Sequence, residues 1–297
     1  MMVFDVLLGS KTAAIAAVFL FGLLVGSFLN VVILRAPPRM AWGWRREARD
    51  VLELPEVDEP KPPGVVVKGS HCPSCGHALR WYENVPVVSW LVLRGRCSAC
   101  GTPISVQYPL VELLTGLAFA ACVWRFGVGL DALAAIVFTG LLIALSGIDW
   151  RTKYLPDDLT YPLLWIGLAA SLIAGGLFVS PSSAILGALA GYLSLWTVYW
   201  GFKLATGKEG MGYGDFKLLA ALGAWCGVTA ILPIVLLSSL VGALIGGAAL
   251  AIQGRDRATP IPFGPFLAIA GWIWFLFGAE LMAAYWGLML PAGAAAP

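Results

Sequence analysis

The feature that most constrains this chain is a series of long apolar blocks, the first running from Ala13 to Leu34 without one charged residue. A helix needs about 20 such residues to cross the hydrocarbon core of a bilayer. Blocks of the same character recur near 106–124, 131–148, 159–179, 183–203, 216–227, 229–252 and 263–289. Only 12% of residues are charged and mean hydropathy is +0.84, whereas a soluble domain carries about 25% charge. The expected fold is therefore all-α and polytopic, with about eight transmembrane helices and membrane lipid as the main solvent. The first block is too long for a cleavable signal, whose apolar region spans about 7–15 residues, so it reads as a permanent helix. A net charge of +2 gives no reason to expect a nucleic-acid partner.

Residues 216–252 hold either two short passes, broken near Gly227 and Pro233, or one pass and a re-entrant piece. Positive charge separates these readings. With the N-terminus outside, the segments 35–105, 149–157, 203–217 and 253–262 face the cytoplasm and carry 17 of the 19 Lys and Arg. The positive-inside rule prefers that arrangement, and it requires an even number of passes between 217 and 253. The expected organisation is a first helix over 1–34, a cytoplasmic loop domain over 35–105 and a membrane domain over 106–297. Within the loop, the acidic, Pro-rich stretch 51–64 reads as extended and solvated. The basic run WRREAR at 44–49 is read as a solvated face in preference to a lipid contact.

The loop also carries CPSCGH at 72–77 and CSACGT at 97–102, two C-x2-C pairs with 21 residues between them. Each pair directs two thiolates at one metal, and Gly76 and Gly101 permit the tight turn behind it. Together Cys72, Cys75, Cys97 and Cys100 complete a tetrahedral four-sulfur site, structural in character and suited to zinc before iron. The alternative of two disulfides needs an oxidising compartment, which the charge pattern contradicts. His71 and His77 are surplus to such a site. Cys122 and Cys226 lie in apolar runs and read as small core residues.

Asp149 follows the apolar run ending SGI, and Asp215 ends GKEGMGYGD and opens FKLLAALGAW. Both therefore fall at cytoplasmic helix ends. Two carboxylates sharing a site can hydrolyse a peptide without a covalent intermediate, one taking a proton from water and the other donating to the carbonyl oxygen. At about 4 Å and an effective dielectric near 20 their charges repel by roughly 4 kcal/mol, enough to keep one protonated. Other readings stay open on residue chemistry alone. Each Asp could cap a helix or balance Arg151, Lys153 and Lys217, and a transporter could use a carboxylate such as Glu112 inside its span. The glycines at 210, 212 and 214 are not a nucleotide loop, because no GK[ST] follows them.

Taken together, GSFLNVVILRAP (26–37), the cysteine segment 72–116, DWRTKYLPDDLTYPLLW (149–165), GMGYGDFKLLAALGAW (210–225) and IPFGPFLA (261–268) resemble the bacterial type IV prepilin peptidases. These are membrane aspartic proteases that also act as N-methyltransferases. The resemblance covers most of the chain outside 38–70. It implies that Asp149 and Asp215 are the catalytic pair, that Asp157 supports them, and that the cysteine tetrad holds zinc. It implies as substrates type IV prepilins or the pseudopilins of a secretion system, cut after a short basic leader and then methylated with S-adenosyl-L-methionine. It places the enzyme in the bacterial inner membrane with its N-terminus periplasmic and its active site facing the cytoplasm. No Rossmann fingerprint marks a cofactor pocket, and Asn30, Glu83 and Glu112 are the candidates for contacts to the methyl donor. The intact cysteine loop argues for the two-activity form. The alternatives are a GxGD intramembrane protease without methyltransferase activity, which would lack this loop, and a non-catalytic transporter or scaffold, which gives no reason for paired aspartates.

Overall fold

The computed structural model of the chain describes residues 10–65, 69–253 and 262–289, the side chains of 246–253 excepted. The expected outer placement of the N-terminus, the loop charges Arg255 and Arg257, and Ile261 of IPFGPFLA thus lie outside the described residues. Among the described residues the chain is helical, and its extended pairing is limited to two isolated bridges in the cysteine loop. The helices are α1 Lys11–Val51, α2 Val88–Val92, α3 Gln107–Phe126, α4 Leu130–Thr152, α5 Asp157–Leu172, α6 Pro181–Thr206, α7 Tyr213–Cys226, α8 Ile231–Gln253 and α9 Gly264–Met289. Seven of these segments, all but α2 and α7, are long and apolar enough to cross a membrane. The chain divides into two compact units, residues 1–144 and 145–297.

In the first unit, α1 departs from the expected boundary at Leu34. It runs for 41 residues, through Pro37 and Pro38, as far as Val51. At 1.5 Å per residue that is about 60 Å, roughly twice the hydrocarbon thickness, so the expected loop domain loses its first 17 residues to a helical extension. The acidic stretch that follows has no regular structure, as expected, but it is not free in solvent. It doubles back along the extension, where Arg46 pairs with Glu56, Arg45 with Glu59, and the Trp42 indole donates to the Glu59 carbonyl. The basic run therefore has acidic partners from its own chain.

Helices α1 and α3 pack antiparallel at close range. A Cβ on Gly22 would lie 2.7 Å from the Gly116 Cα, and one on Gly26 would lie 2.6 Å from the Glu112 Cα. Small residues are what let backbones approach this closely where lipid supplies no hydrophobic drive between helices. Cys122 is fully buried beside Thr139 and is the core residue expected of it.

In the second unit, α7 is the centre. It spans 14 residues, or about 21 Å, too short for a bilayer core of about 30 Å. Nine consecutive-face and interior positions from Phe216 to Trp225 are buried, and α5, α6 and α9 pack around it. Gly187 of α6 meets the Gly223 backbone, Gly167 of α5 meets the Trp225 ring, and the Trp225 indole donates to the Leu163 carbonyl at 2.8 Å. The sixth expected pass is thus a short helix wrapped in protein. The break at Gly227 is present, with φ +81°. The expected break at Pro233 is not, because Pro233 falls in the first turn of α8, where a missing N–H leaves no helix bond unmade.

Candidate active site and metal centre

Asp149 lies in the last turn of α4 and is almost fully buried, 4% exposed. Asp215 is the third residue of α7 and half-buried. Both aspartate-bearing segments converge on one residue, Leu155, which stands against Gly264 on the Asp149 side and Gly214 on the Asp215 side. An acid in the first turn of α7 also meets the positive end of that helix.

What brings the pair together is local. The backbone N–H of Gly264 donates to Asp149 Oδ2 at 3.1 Å. A Cβ on Gly264 would stand 2.7 Å from that same oxygen and 3.2 Å from Leu155. Leu155, buried at 4%, also faces Gly214, where a Cβ would lie 2.9 Å from the Leu155 Cβ. One leucine therefore forms a wall against both carboxylate-bearing segments, and the two glycines permit the approach. Of the glycines before Asp215, Gly214 is the one that meets Leu155; a Cβ at Gly212 would have nothing within 4 Å, and one at Gly210 would meet the Phe202 ring at 2.9 Å. Gly264 carries no chemical signature of its own and is missed by reasoning from side chains; its only signal is a glycine held between Phe263 and Pro265 at a helix start.

Gly264→Ala should displace the Asp149 carboxylate, and a misplacement of about 1 Å costs about 10²-fold. The expected result is a kcat lowered about tenfold to hundredfold with KM little changed. A wild-type kcat in this variant would show that Asp149 does not depend on the contact.

Lys217 does not neutralise Asp215. Its ammonium binds both oxygens of Asp157, at 2.7 and 2.8 Å, and lies over the Tyr161 ring. Asp157 thus ties the start of α5 to α7 two residues beyond Asp215, a supporting role by geometry. Asp158 lies beside it in the first turn of α5, whose N-cap is Pro156.

The four expected metal ligands converge. Their sulfurs all lie within 4.8 Å of one another, with Cys72–Cys100 at 3.8 Å and Cys75–Cys97 at 4.0 Å. A tetrahedral zinc with bonds of about 2.3 Å requires sulfur separations of about 3.8 Å, a spacing that the Cys72–Cys100 and Cys75–Cys97 pairs already approach. All four cysteines are free thiols rather than disulfides. The two knuckles repeat one pattern: Gly76 N–H bonds the Cys72 carbonyl and Gly101 N–H bonds the Cys97 carbonyl, with both glycines near φ +70°. The Thr102 hydroxyl and backbone N–H hold the Cys100 thiol below its usual range.

Glu83 joins the knuckles. Its carboxylate accepts from Ser98 at 2.5 Å, the Arg80 N–H at 2.8 Å and His77 at 3.1 Å, and the Ser98 and Arg80 bonds first, then His77, hold it down to about 2. Three of about four acceptor positions are thereby used, which leaves Glu83 as a strut of the metal loop. Asn30 and Glu112, the other two candidates for the methyl donor, lie elsewhere in the first unit, on α1 and α3.

A helical membrane protein with paired carboxylates at its helix ends and a four-thiolate metal loop is the class that fold and site define. Residues 20–126 match the bacterial peptidase A24 N-terminal domain, and residues 136–247 match the type IV leader peptidase family. A protein of Xanthomonas campestris pv. campestris named prepilin leader peptidase/N-methyltransferase is 61% identical over 264 residues, covering 89% of this chain and 91% of its own length. Proteins of the same name from Stutzerimonas stutzeri and Pseudomonas aeruginosa are each 50% identical, covering 95% of this chain and 96% of their own. The chain belongs to the type IV leader peptidase family. No solved structure matches it.

Proposed function

We propose that this chain removes the leader peptide from type IV prepilins and prepilin-like pseudopilins and then N-methylates the exposed terminal residue, with S-adenosyl-L-methionine as donor. Family membership and the names of its relatives support the pairing of activities. The observation that supports the peptidase half is that Leu155 stands against both Gly214, next to Asp215, and Gly264, whose amide binds Asp149.

In this reading one carboxylate takes a proton from water as its oxygen bonds the scissile carbonyl carbon, while the protonated partner donates to the carbonyl oxygen. The tetrahedral intermediate then collapses, the C–N bond breaks, and the leaving amine takes up a proton. Like charge in one site keeps the pair from ionising together. Zinc on Cys72, Cys75, Cys97 and Cys100 would be structural, since four thiolates leave no position for water. The substrate's apolar helix stays in lipid while its leader reaches the aspartates at the membrane edge.

The enzyme sits in the bacterial inner membrane with its N-terminus periplasmic and the cysteine loop cytoplasmic, as the distribution of Lys and Arg favours. A cysteine placed at exposed Val57 should react with an impermeant thiol reagent in inside-out vesicles and not in intact spheroplasts; the reverse would invert the topology. The activity is tested with the purified chain in detergent, a leader-bearing prepilin and methyl-labelled donor, followed by mass spectrometry. Leader loss followed by label on the new terminus is expected. Cleavage without label would make the chain a peptidase only, and neither would refute the reading.

A further inference from the structure

Asn30 is fully buried, 0% exposed, on a helix that faces lipid. Its amide nitrogen is spent: it donates to the Gly26 carbonyl at 3.3 Å and the Tyr108 carbonyl at 3.0 Å. Two carbonyl partners fix which end of the amide is nitrogen, and they leave the oxygen aimed the other way. That oxygen has no hydrogen-bond partner. An unmatched buried acceptor is costly enough that native structures seldom keep one without a use.

Glu112 is the neighbour. The antiparallel register of α1 and α3 sets Gly26 against Glu112 and Asn30 against Tyr108, one turn away. Side chains on a helix lean toward its N-terminus, so the Glu112 carboxylate leans toward the level at which Asn30 sits. It is buried, 6% exposed, and its recorded partners are neutral: the Val87 N–H at 2.7 Å and the Ser27 hydroxyl. Among the described residues no Lys or Arg pairs with it. A carboxylate offers about four acceptor positions, so about half of its capacity is unspent.

The backbone above Glu112 is held out of its comfortable range to make this contact. Val87 has φ +60° and ψ −50°, with the Val88 N–H bonded to the Pro86 carbonyl at 2.6 Å. That is a strained three-residue turn, and for a β-branched residue it is a true outlier. The cysteine loop is thus latched by its own main chain onto an uncompensated carboxylate.

Taken together, a free amide oxygen and a carboxylate without a counter-charge, both buried and one helical turn apart in register, present acceptors with no cationic N–H donor to match them. We infer that Asn30 and Glu112 form the binding site for a ligand ammonium group used in the methylation half of the activity. The inference rests on the proposed methyltransferase reading. Two molecules in that reaction carry such a group: the methyl donor, through its amino-acid portion, and the freshly cut substrate, through its new N-terminus. The shared chemistry is one ammonium bound by a carboxylate and an amide oxygen.

The test uses the purified full chain and two readouts. One is equilibrium binding of labelled S-adenosyl-L-methionine; the other is the KM for methylation of a mature-pilin N-terminal peptide with a free amine. Glu112→Gln keeps an acceptor for the Val87 N–H and removes the charge. Loss of a charge-assisted hydrogen bond should weaken the affected ligand about tenfold to hundredfold. A weakened donor Kd, with binding of the desamino donor analogue untouched, assigns the site to the donor. An unchanged donor Kd with a raised peptide KM assigns it to the substrate amine. Asn30→Leu should weaken the same ligand. If both readouts match wild type in Glu112→Gln and Asn30→Leu, the pair is a strut between helices and the inference fails while the methyltransferase reading stands. A wild-type chain that cleaves but neither binds donor nor methylates overturns that reading, and this inference with it.

Discussion

Asp149→Asn and Asp215→Asn should each lower leader cleavage by at least about 10³-fold, the scale of a lost general acid or base. Asparagine is the informative replacement. It has the same shape, and at 149 its carbonyl can still accept from the Gly264 N–H that holds the aspartate. Packing against Leu155 is likewise unaltered. What disappears is the ability to hold and pass a proton. In the proposed mechanism the two carboxylates act as one unit, so the double variant should be little worse than either single one. The measurement is cleavage of a prepilin in detergent at matched protein concentration, with melting temperature and zinc content as checks on folding. Activity near wild type in one variant would remove that residue from the chemistry and direct attention to Asp157, whose carboxylate is instead committed to Lys217.

The second large effect concerns the metal. Apparent binding free energies for structural zinc are about 10–16 kcal/mol near neutral pH, and in a small loop that is folding free energy. The segment from Cys72 to Cys100 contains a four-residue turn and a five-residue helix and little buried apolar surface. Strong chelation, or Cys72→Ser, should therefore unfold it. Limited proteolysis should show rapid cutting between 72 and 100 with the membrane helices intact. Methylation should be lost, because the Val87 latch on Glu112 is part of the loop, whereas the aspartates keep their chemistry. An apoprotein that resists protease there, or a loop-deleted chain that still methylates, would sink this account.

The features legible in the sequence were those written in side-chain chemistry at fixed spacing. C-x2-C pairs announce a tetrahedral site because four sulfurs around one ion have few other geometries, and the tetrad is assembled as expected. Asp149 and Asp215 stood out because charge beside an apolar run is expensive. Features written in backbone were not legible. The first helix reads as ending with the apolar run at Leu34, yet α1 continues through Pro37 and Pro38 to Val51, where acidic residues returning from 56–59 bind its arginines. Gly264 serves through an N–H that every residue except proline possesses. Asn30 and Glu112 are 82 positions apart, and only the register of two helices brings them within one turn of each other.

The burial of α7 on nearly every side has a consequence for how the enzyme comes into being. An apolar segment usually partitions into lipid on its own merit, but about 21 Å of helix with almost no lipid-facing surface gains little from doing so. Its residence in the membrane depends on α5, α6 and α9 being there to receive it. Asp215 travels with that helix, so the second carboxylate arrives only when the bundle closes. A half-built chain emerging from the ribosome therefore carries one aspartate and no scissors, and the cell is spared a protease that acts before it is complete.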